Sequence, residues 1–441
     1  MSENWTKRRF GRSLRTGSFG SAGGEGDFQR DRARIIHCAA FRRLQGKTQV
    51  LGIGENDFYR TRLTHSLETA QISSGITESL RLRYQSNQSI LDVLPPAPLI
   101  EAVGFAHDIG HAPFGHGGET AINFFMHDHG GFEANGQTLR IVTKLGEYSP
   151  NAGLDLTRRT ILGLLKYPAC HHAVCQYGLL PTDRHPLNLE PWRPPKCIMD
   201  DEKDILDWLL ETLCADDRKQ FTEPLPNDKQ GHRHMMHRSL DATIMEYGDD
   251  IAYGVHDLED ALTLHLIDFQ QWEREVIHPL RELGDKELGK QSDFYNKKLF
   301  SNSPHERKHA ISRLVGYLIE NIEIDREPTF DEPLLSFRAV MRSPAKEALE
   351  ALKRFVFKWV IRSPEVQALE YRGQQMLIRL FETLVANPKR LLPREVYAEY
   401  AKSGTSLRPI CDYVSSMTDT HATKLYLKLF SPDGGSVFER L

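Results

Sequence analysis

Cysteine is scarce in this 441-residue chain: six residues, at Cys38, Cys170, Cys175, Cys197, Cys214 and Cys411. Their scatter excludes a disulfide scaffold and fits a reducing compartment. Thiols and imidazoles gather once, in "CHHAVC", where Cys170, His171, His172 and Cys175 have zinc-ligand chemistry. No second CxxC or HxxxH pair stands at finger spacing, so structural zinc is the weaker reading there. The chain also has no run of about 18 apolar residues and no apolar signal core at its N-terminus, which leads us to expect a cytoplasmic protein with no membrane contact. Charge of one sign does not dominate: 56 Lys and Arg face 60 Asp and Glu, a net charge of −4. That balance excludes a generic nucleic-acid or membrane binder. Alternating strand patterns are few, and internal repeats and low-complexity tracts are absent.

What is present is helical periodicity. "RTRLTHSLETAQISSGITESLRLRY" (60–84), "PLIEAVGFAHDIG" (98–110) and "DATIMEYGDDIAYGVHDLEDALTLHLIDF" (241–269) read as helices. In the last third, "SPHE" at 303–306 predicts a capping box, with Ser303 as N-cap and Glu306 at N3, while "SPAK" (343–346) and "SPEV" (363–366) open two further helices. The second of these is closed by Asn387-Pro388. The Pro-rich stretch from about 176 to 235 reads as an excursion with one clear short helix, "DEKDILDWLLETL". Residues 1–43 hold ten Lys/Arg against four Asp/Glu, and positions 1–27 are Gly/Ser-rich. A solvated mobile tail is the plain reading of that segment, and contact with phosphate or single-stranded DNA the alternative. The expectation is an all-α chain, one mostly helical domain over 1–441, with a core at about 60–270 and a helical C-terminal subregion at about 300–441.

The chemistry concentrates in "FAHDIGHAPFGHGGE" (105–119). His107 and Asp108 stand at the end of a predicted helix and offer one nitrogen and one oxygen to an ion there. A metal site needs further ligands. His65 in "RTRLTHSLE" and Asp249 in "EYGDDIAYGVHDLED" are candidates, with Asp250 as a rival about 100° away on the helix. Asp249, Tyr253 and Asp257 stand at i, i+4 and i+8 and so share a helix face. The glycines and the proline of "GHAPFGHGGE" are expected to keep His111, His116 and Glu119 on a loop beside the ion. His116 and Glu119 have the residue types of an acid–base pair. A His₂Asp₂ site leaves coordination positions open, as metal-assisted hydrolysis of a phosphate ester requires.

The set His65, His107-Asp108 and Asp249 resembles the H…HD…D signature of the HD superfamily of metal-dependent phosphohydrolases. The flanking motifs carry the specificity: "DRARIIHCAAFRRLQGKTQV", "RTRLTHSLETAQ", "AHDIGHAPFGHGGE", "GGFEANGQTLR", "LDLTRRTILGLLKYP", "DDIAYGVHDLED" and "SSMTDTHA". In that order, over residues 31–422, they resemble the deoxynucleoside triphosphate triphosphohydrolases, the bacterial dGTPase-like family. The resemblance implies an HD-domain helical fold with additional C-terminal helices. It implies that His65, His107, Asp108 and Asp249 hold a divalent metal, Mg²⁺ or Mn²⁺ first, with Fe²⁺, Co²⁺ and Ni²⁺ as alternatives.

It further implies that Tyr253 stacks on the deoxyribose, that Asp257 bonds the 3′-hydroxyl, and that Gln49 is a second sugar contact. Arg62 matches an α-phosphate arginine, one helical turn before His65, and Lys166 a contact to the triphosphate tail. Asn135 and Gln137 are expected near the base or the metal helix, and Arg408 near a neighbouring subunit's site. The implied reaction is hydrolysis of dNTPs, dGTP-like substrates first, at the α-phosphorus, giving a deoxynucleoside and inorganic triphosphate. Arg62 and His111 would neutralise charge, and His116, oriented by Glu119, would pass a proton or attack directly. The implied partners are a dNTP activator and copies of the chain itself, a hexamer. The rivals are another HD activity (a 5′-nucleotidase or a cyclic nucleotide phosphodiesterase) and a nucleotide- or single-strand-binding protein.

Overall fold

Two glycines let three helices meet closely enough to share one ion-sized space. Helix Arg62–Arg83 lies against helix Ala97–Ala106 at Gly104, where a methyl group would come within 2.6 Å of the Ala70 Cα. Helix Leu240–Ile251 lies against the first helix at Gly248, where a methyl group would meet Ser73 Oγ at 2.2 Å. These contacts bring the backbones carrying His65, His107 and Asp249 together. The computed structural model describes residues 3–10, 25–49, 60–178, 180, 188–226 and 231–431.

The architecture is all-α apart from one small sheet. Strands Ile322–Arg326 and Phe337–Met341 pair antiparallel, with Ile324 opposite Ala339, and form the only sheet among the described residues. One apolar core gathers Ile72, Ile76, Val103, Ile244 and Leu349 around the three helices. A second is built from helix Gly115–Met126, helix Pro364–Ala386 and the C-terminal helices Arg408–Ser415 and Asp419–Phe430. Phe125 and Phe381 stack in it with ring centroids 4.5 Å apart. A cavity of about 750 Å³ opens where the two cores meet.

Several sequence expectations are met. Ser363 caps the helix at Pro364, its side chain accepting the Val366 N–H at 3.4 Å, and that helix ends at Ala386. Others are corrected. Ser303 makes no side-chain cap: its N–H donates to Ser301 Oγ at 3.1 Å, and Glu306 pairs with Lys298 instead of returning to it. The long helix expected over 241–269 runs only to Thr263, and its middle, Ala252–His256, widens into a π-helical turn. Among its described residues the excursion contains two α-helices, Lys203–Leu210 and Ala215–Thr222. The second has little apolar period, but Cys214 caps it and Phe221 anchors it. At the N-terminus, residues 3–10 are packed and not a free tail: Trp5 is buried, and Arg8 pairs with Asp31 at 2.6 Å. Residues 11–24 of the expected tail lie outside the described residues.

Candidate functional site

His107 caps the C-terminal end of helix Ala97–Ala106, and its Nδ1 donates to the Gly104 carbonyl at 2.7 Å. That bond fixes the ring and turns Nε2 inward, where it is buried without a hydrogen-bond partner among the described residues. Around this orphaned nitrogen stand Asp108 Oδ1 at 3.4 Å and Asp249 Oδ1 at 3.7 Å. His65 reaches the same point, its Nε2 2.9 Å from Asp249 Oδ1. His65, His107 and Asp108 stand close enough to share one divalent cation, and Asp249 adjoins them through its bond with His65. Asp250 points elsewhere and pairs with Lys353 at 2.9 Å.

Charge is unevenly held here. Burial disfavours ionising Asp249, yet His107, the bond from His65 and the Lys166 ammonium 3.6 Å away keep its carboxyl below the usual carboxylate range. Asp108 is likewise buried and held low, by His111, His107 and Arg62. Arg62 donates to Asp108 Oδ2 at 2.7 Å from the first turn of its helix. Burial and that guanidinium push the His111 imidazole down to about 4. His111 Nδ1 stands 3.0 Å from Asp108 Oδ1, and the ring lines the cavity.

His116 and Glu119 are on a helix, not on the expected loop. Helix Gly115–Met126 begins there because Phe114 takes up φ 61° and so turns the chain into it. The i, i+3 spacing then sets His116 Nδ1 3.0 Å from Glu119 Oε2. The two are partitioned sharply: the His116 side chain is 70% exposed, and that of Glu119 4%. Glu119 Oε1 accepts the Ala134 N–H at 2.8 Å, and Lys196 stands 3.6 Å from it. Despite burial, the Lys196 charge and the bond from His116 hold this carboxyl well below its ordinary value. The ring centroids of His111 and His116 are 5.8 Å apart, so the pair sits beside the metal-type cluster.

The cavity brings together most of the residues singled out in the sequence. Gln49, Arg62, His65, His107, Asp108, His111, His116, Lys166, Asp249 and Tyr253 all line it. Asp257 does not. It lies one turn past Tyr253, buried, with Oδ2 unpartnered among the described residues and its carboxyl pushed up by burial to about 7. Asn135 lines the cavity, whereas Gln137 turns away to Asp412 at 3.2 Å.

Arg408 has a buried guanidinium that donates to Asp201 at 2.6 Å and to the Gly131 carbonyl at 2.8 Å, and so braces its own chain. In "CHHAVC", Cys170 and His172 come together with Asp200, not with Cys175. His172 and Asp200 satisfy each other at 2.7 Å, and burial pushes the Cys170 thiol up to about 11.

Sequence reading missed Lys196, Asp419 and Glu370, which line the cavity too. Lys196 stands alone in "PPKC" within the excursion, and no local pattern marks it. The triplet "TDT" around Asp419 looks like an ordinary helix start.

Residues 62–151 match the HD domain family, and residues 339–428 match the phosphohydrolase-associated domain. A protein of Shewanella loihica is 47% identical over 99% of this chain and 98% of its own length. One of Shewanella sp. strain ANA-3 is 48% identical over 93% of this chain and 94% of its own, and one of Shewanella halifaxensis 46% identical over 99% and 98%. All three are described as deoxyguanosinetriphosphate triphosphohydrolase-like proteins.

Proposed function

The chain belongs to the deoxyguanosinetriphosphate triphosphohydrolase-like family of HD-domain proteins, and on that premise we propose that it hydrolyses dNTPs, dGTP-like substrates first, at the α-phosphorus. The products are a deoxynucleoside and inorganic triphosphate. One observation carries the reading: His65, His107, Asp108, Asp249, Arg62 and His116 line a single cavity large enough for a nucleotide, with Glu119 buried behind His116 and bonded to it.

An HD domain works with a divalent metal, and the inward Nε2 of His107 among two carboxylates and His65 fits one. These four residues would hold it, and two imidazoles with two carboxylates suit Mg²⁺ or Mn²⁺ first, with Fe²⁺, Co²⁺ and Ni²⁺ as alternatives. A cation held there supplies Lewis-acid polarisation of a phosphoryl oxygen.

Everything else is done by the chain's own side chains. Arg62, already ion-paired to Asp108, offers its other guanidinium hydrogens to the α-phosphate and balances charge as it builds. Water adds to the α-phosphorus as the bond from phosphorus to the 5′-oxygen breaks. His116 gives its proton to that oxygen, and the proton lost by the water leaves with the triphosphate or to solvent. Glu119 accepts from His116 Nδ1 and so fixes the tautomer and steadies the imidazolium. Lys166, kept cationic by Asp249 and Glu246 despite its burial, takes the triphosphate tail. Tyr253 packs on C2′, where a ribose 2′-hydroxyl would collide with its ring. Gln49, whose Oε1 is buried without a partner among the described residues, takes the sugar, and Asp257 the 3′-hydroxyl when the sugar reaches past Tyr253.

The same reading takes the chain as one domain, because residues 112–132 find their apolar partners in 377–425. It includes a cytoplasmic location, a homo-oligomer (hexameric by family resemblance) and a dNTP activator. No described helix is long and apolar enough to cross a membrane.

The test is product analysis. The protein is incubated with each dNTP, NTP, dNMP and cyclic nucleotide, with Mg²⁺ or Mn²⁺. Triphosphate released from dNTPs is the expected result. Orthophosphate from dNMPs, opening of cyclic nucleotides, or salt-sensitive single-strand binding without turnover would overturn the proposal.

A further inference from the structure

Asp419 joins two segments that each carry a residue of the proposed site, Gln49 on one and His116 on the other. It is the first residue of helix Asp419–Phe430 and is 7% exposed. An acid at such a place ordinarily caps its own helix, but Thr418 does that here, accepting the His421 N–H at 3.2 Å. The Asp419 carboxylate is left for partners outside its helix. Its Oδ1 accepts the Phe114 N–H at 2.9 Å, and its Oδ2 accepts both the N–H of Thr48, at 3.0 Å, and its hydroxyl, at 2.6 Å.

Both partners are adjacent to site residues. Phe114 holds a left-handed backbone that starts the helix carrying His116, and it has no side-chain cap of its own. A non-glycine residue persists in that conformation only where its surroundings hold it. Thr48 precedes Gln49. Lys47, buried beside them, donates to the carbonyl of Ser415 at 3.0 Å and to that of His111. Thr48, Gln49, Phe114, His116 and Asp419 all line the one cavity. Asp419 lies within the phosphohydrolase-associated segment, Phe114 within the HD segment and Thr48 before it.

We propose that Asp419 is a positioning residue: through Phe114 and Thr48 it sets His116 and Gln49 in register across the bound nucleotide, and so ties the C-terminal segment to both turnover and sugar selection. This inference rests on the function proposed above. A carboxylate is required because three donors converge on its two oxygens. Asn offers one acceptor oxygen and turns an NH₂ toward a donor, so it keeps at most one arm.

The test compares D419N and T48V with the unmodified protein. D419N is expected to lower kcat/KM for dGTP by about tenfold or more, since small misplacements of reacting groups cost this much. It should also reduce discrimination of dGTP over GTP, with metal content unchanged. T48V removes only the hydroxyl bond and keeps both N–H bonds. It should raise KM about threefold or more and lower discrimination, with kcat within about twofold.

A purely structural Asp419 would lower thermal stability and leave discrimination intact. Unchanged discrimination in both variants overturns the proposal, and if D419N does not fold, T48V alone decides. If the unmodified protein turns over no dNTP, the proposed function fails, and amide hydrogen exchange then decides this inference separately. Faster exchange of both the Thr48 and Phe114 amides in D419N supports it, and a change confined to 419–430 overturns it.

Discussion

His65 Nε2 and Asp249 Oδ1 lie 2.9 Å apart although 184 positions separate them in the chain. Burial disfavours a charged ring at His65, but the bond and charge of Asp249 outweigh it and raise the imidazole to about 8. A cation binding there must displace that proton, because only the neutral ring is a ligand. Metal affinity should therefore rise with pH up to about 8 and level off above it. Calorimetric titration with Mn²⁺ in two buffers of different ionisation heat should show a proton released at pH 7 and less release at pH 9. Equal release at both would contradict the assignment.

The two neighbouring aspartates should separate cleanly. D249A and H107A are expected to lose most bound metal, measured by elemental analysis after dialysis against Mn²⁺. D250A removes only a partly exposed pair with Lys353, which contributes about 0–1 kcal/mol, and should retain metal. The opposite pattern would show that Asp250 is the ligand.

Truncating His116 should lower kcat by about a hundredfold or more while leaving metal content intact, the effect of losing a positioned proton donor. Its ring is largely exposed, so the melting temperature should change little. E119Q should follow it in direction, because the buried carboxylate then no longer holds the ring. Turnover near normal in H116A would remove it from the mechanism.

Away from the cavity, Glu68 joins helix Arg62–Arg83 to Arg60 at 3.0 Å and to His256 at 2.9 Å. Burial works against its charge, yet His256 and Arg60 hold the carboxyl down at about 2, below its ordinary 4.5. A depressed folded value stabilises above pH 4.5, and that stabilisation disappears as pH falls toward 2. E68Q should cost about 1–3 kcal/mol at pH 7. The gap in melting temperature between it and the unmodified protein should shrink on acidification to pH 3, and a gap that does not change with pH would rule this out.

G104A tests the packing that makes the site. Its methyl group would press on Ala70 backbone at 2.6 Å, and the helices would have to part. Overpacking of this kind costs about 1–3 kcal/mol. The carbonyl that orients His107 belongs to Gly104 itself, so metal affinity should fall together with stability. Lost stability with full metal affinity would show that the ligands tolerate the shift.

Much of the site was legible because its signals are local. The adjacent His107 and Asp108, the acids and tyrosine at helical spacing and the ordered flanking motifs identify both the chemistry and the family from one sequence. Asp249 against Asp250 is different: periodicity alone left both open, and the packed helices place one beside His65 and the other beside Lys353. His116 and Glu119 were recognisable by residue type, but glycine and proline around them suggested a loop. The tertiary contacts at Phe114 start a helix there instead.

By itself, then, the sequence determined the helical class and the family, and it singled out the residues proposed as metal ligands and as an acid–base pair, since periodicity and residue chemistry are written along the chain. Tertiary structure decided what depends on distant neighbours. It buries Arg408 as a brace, keeps Asp257 off the cavity lining and sets His111 beside Asp108. It also brings Asp419 to Phe114 across 305 positions, Lys196 to Glu119, and two small residues close enough for three helices to share one site. No local pattern encodes such pairings, because each results from the packing of whole helices, and burial and charge there are set by neighbours remote in sequence.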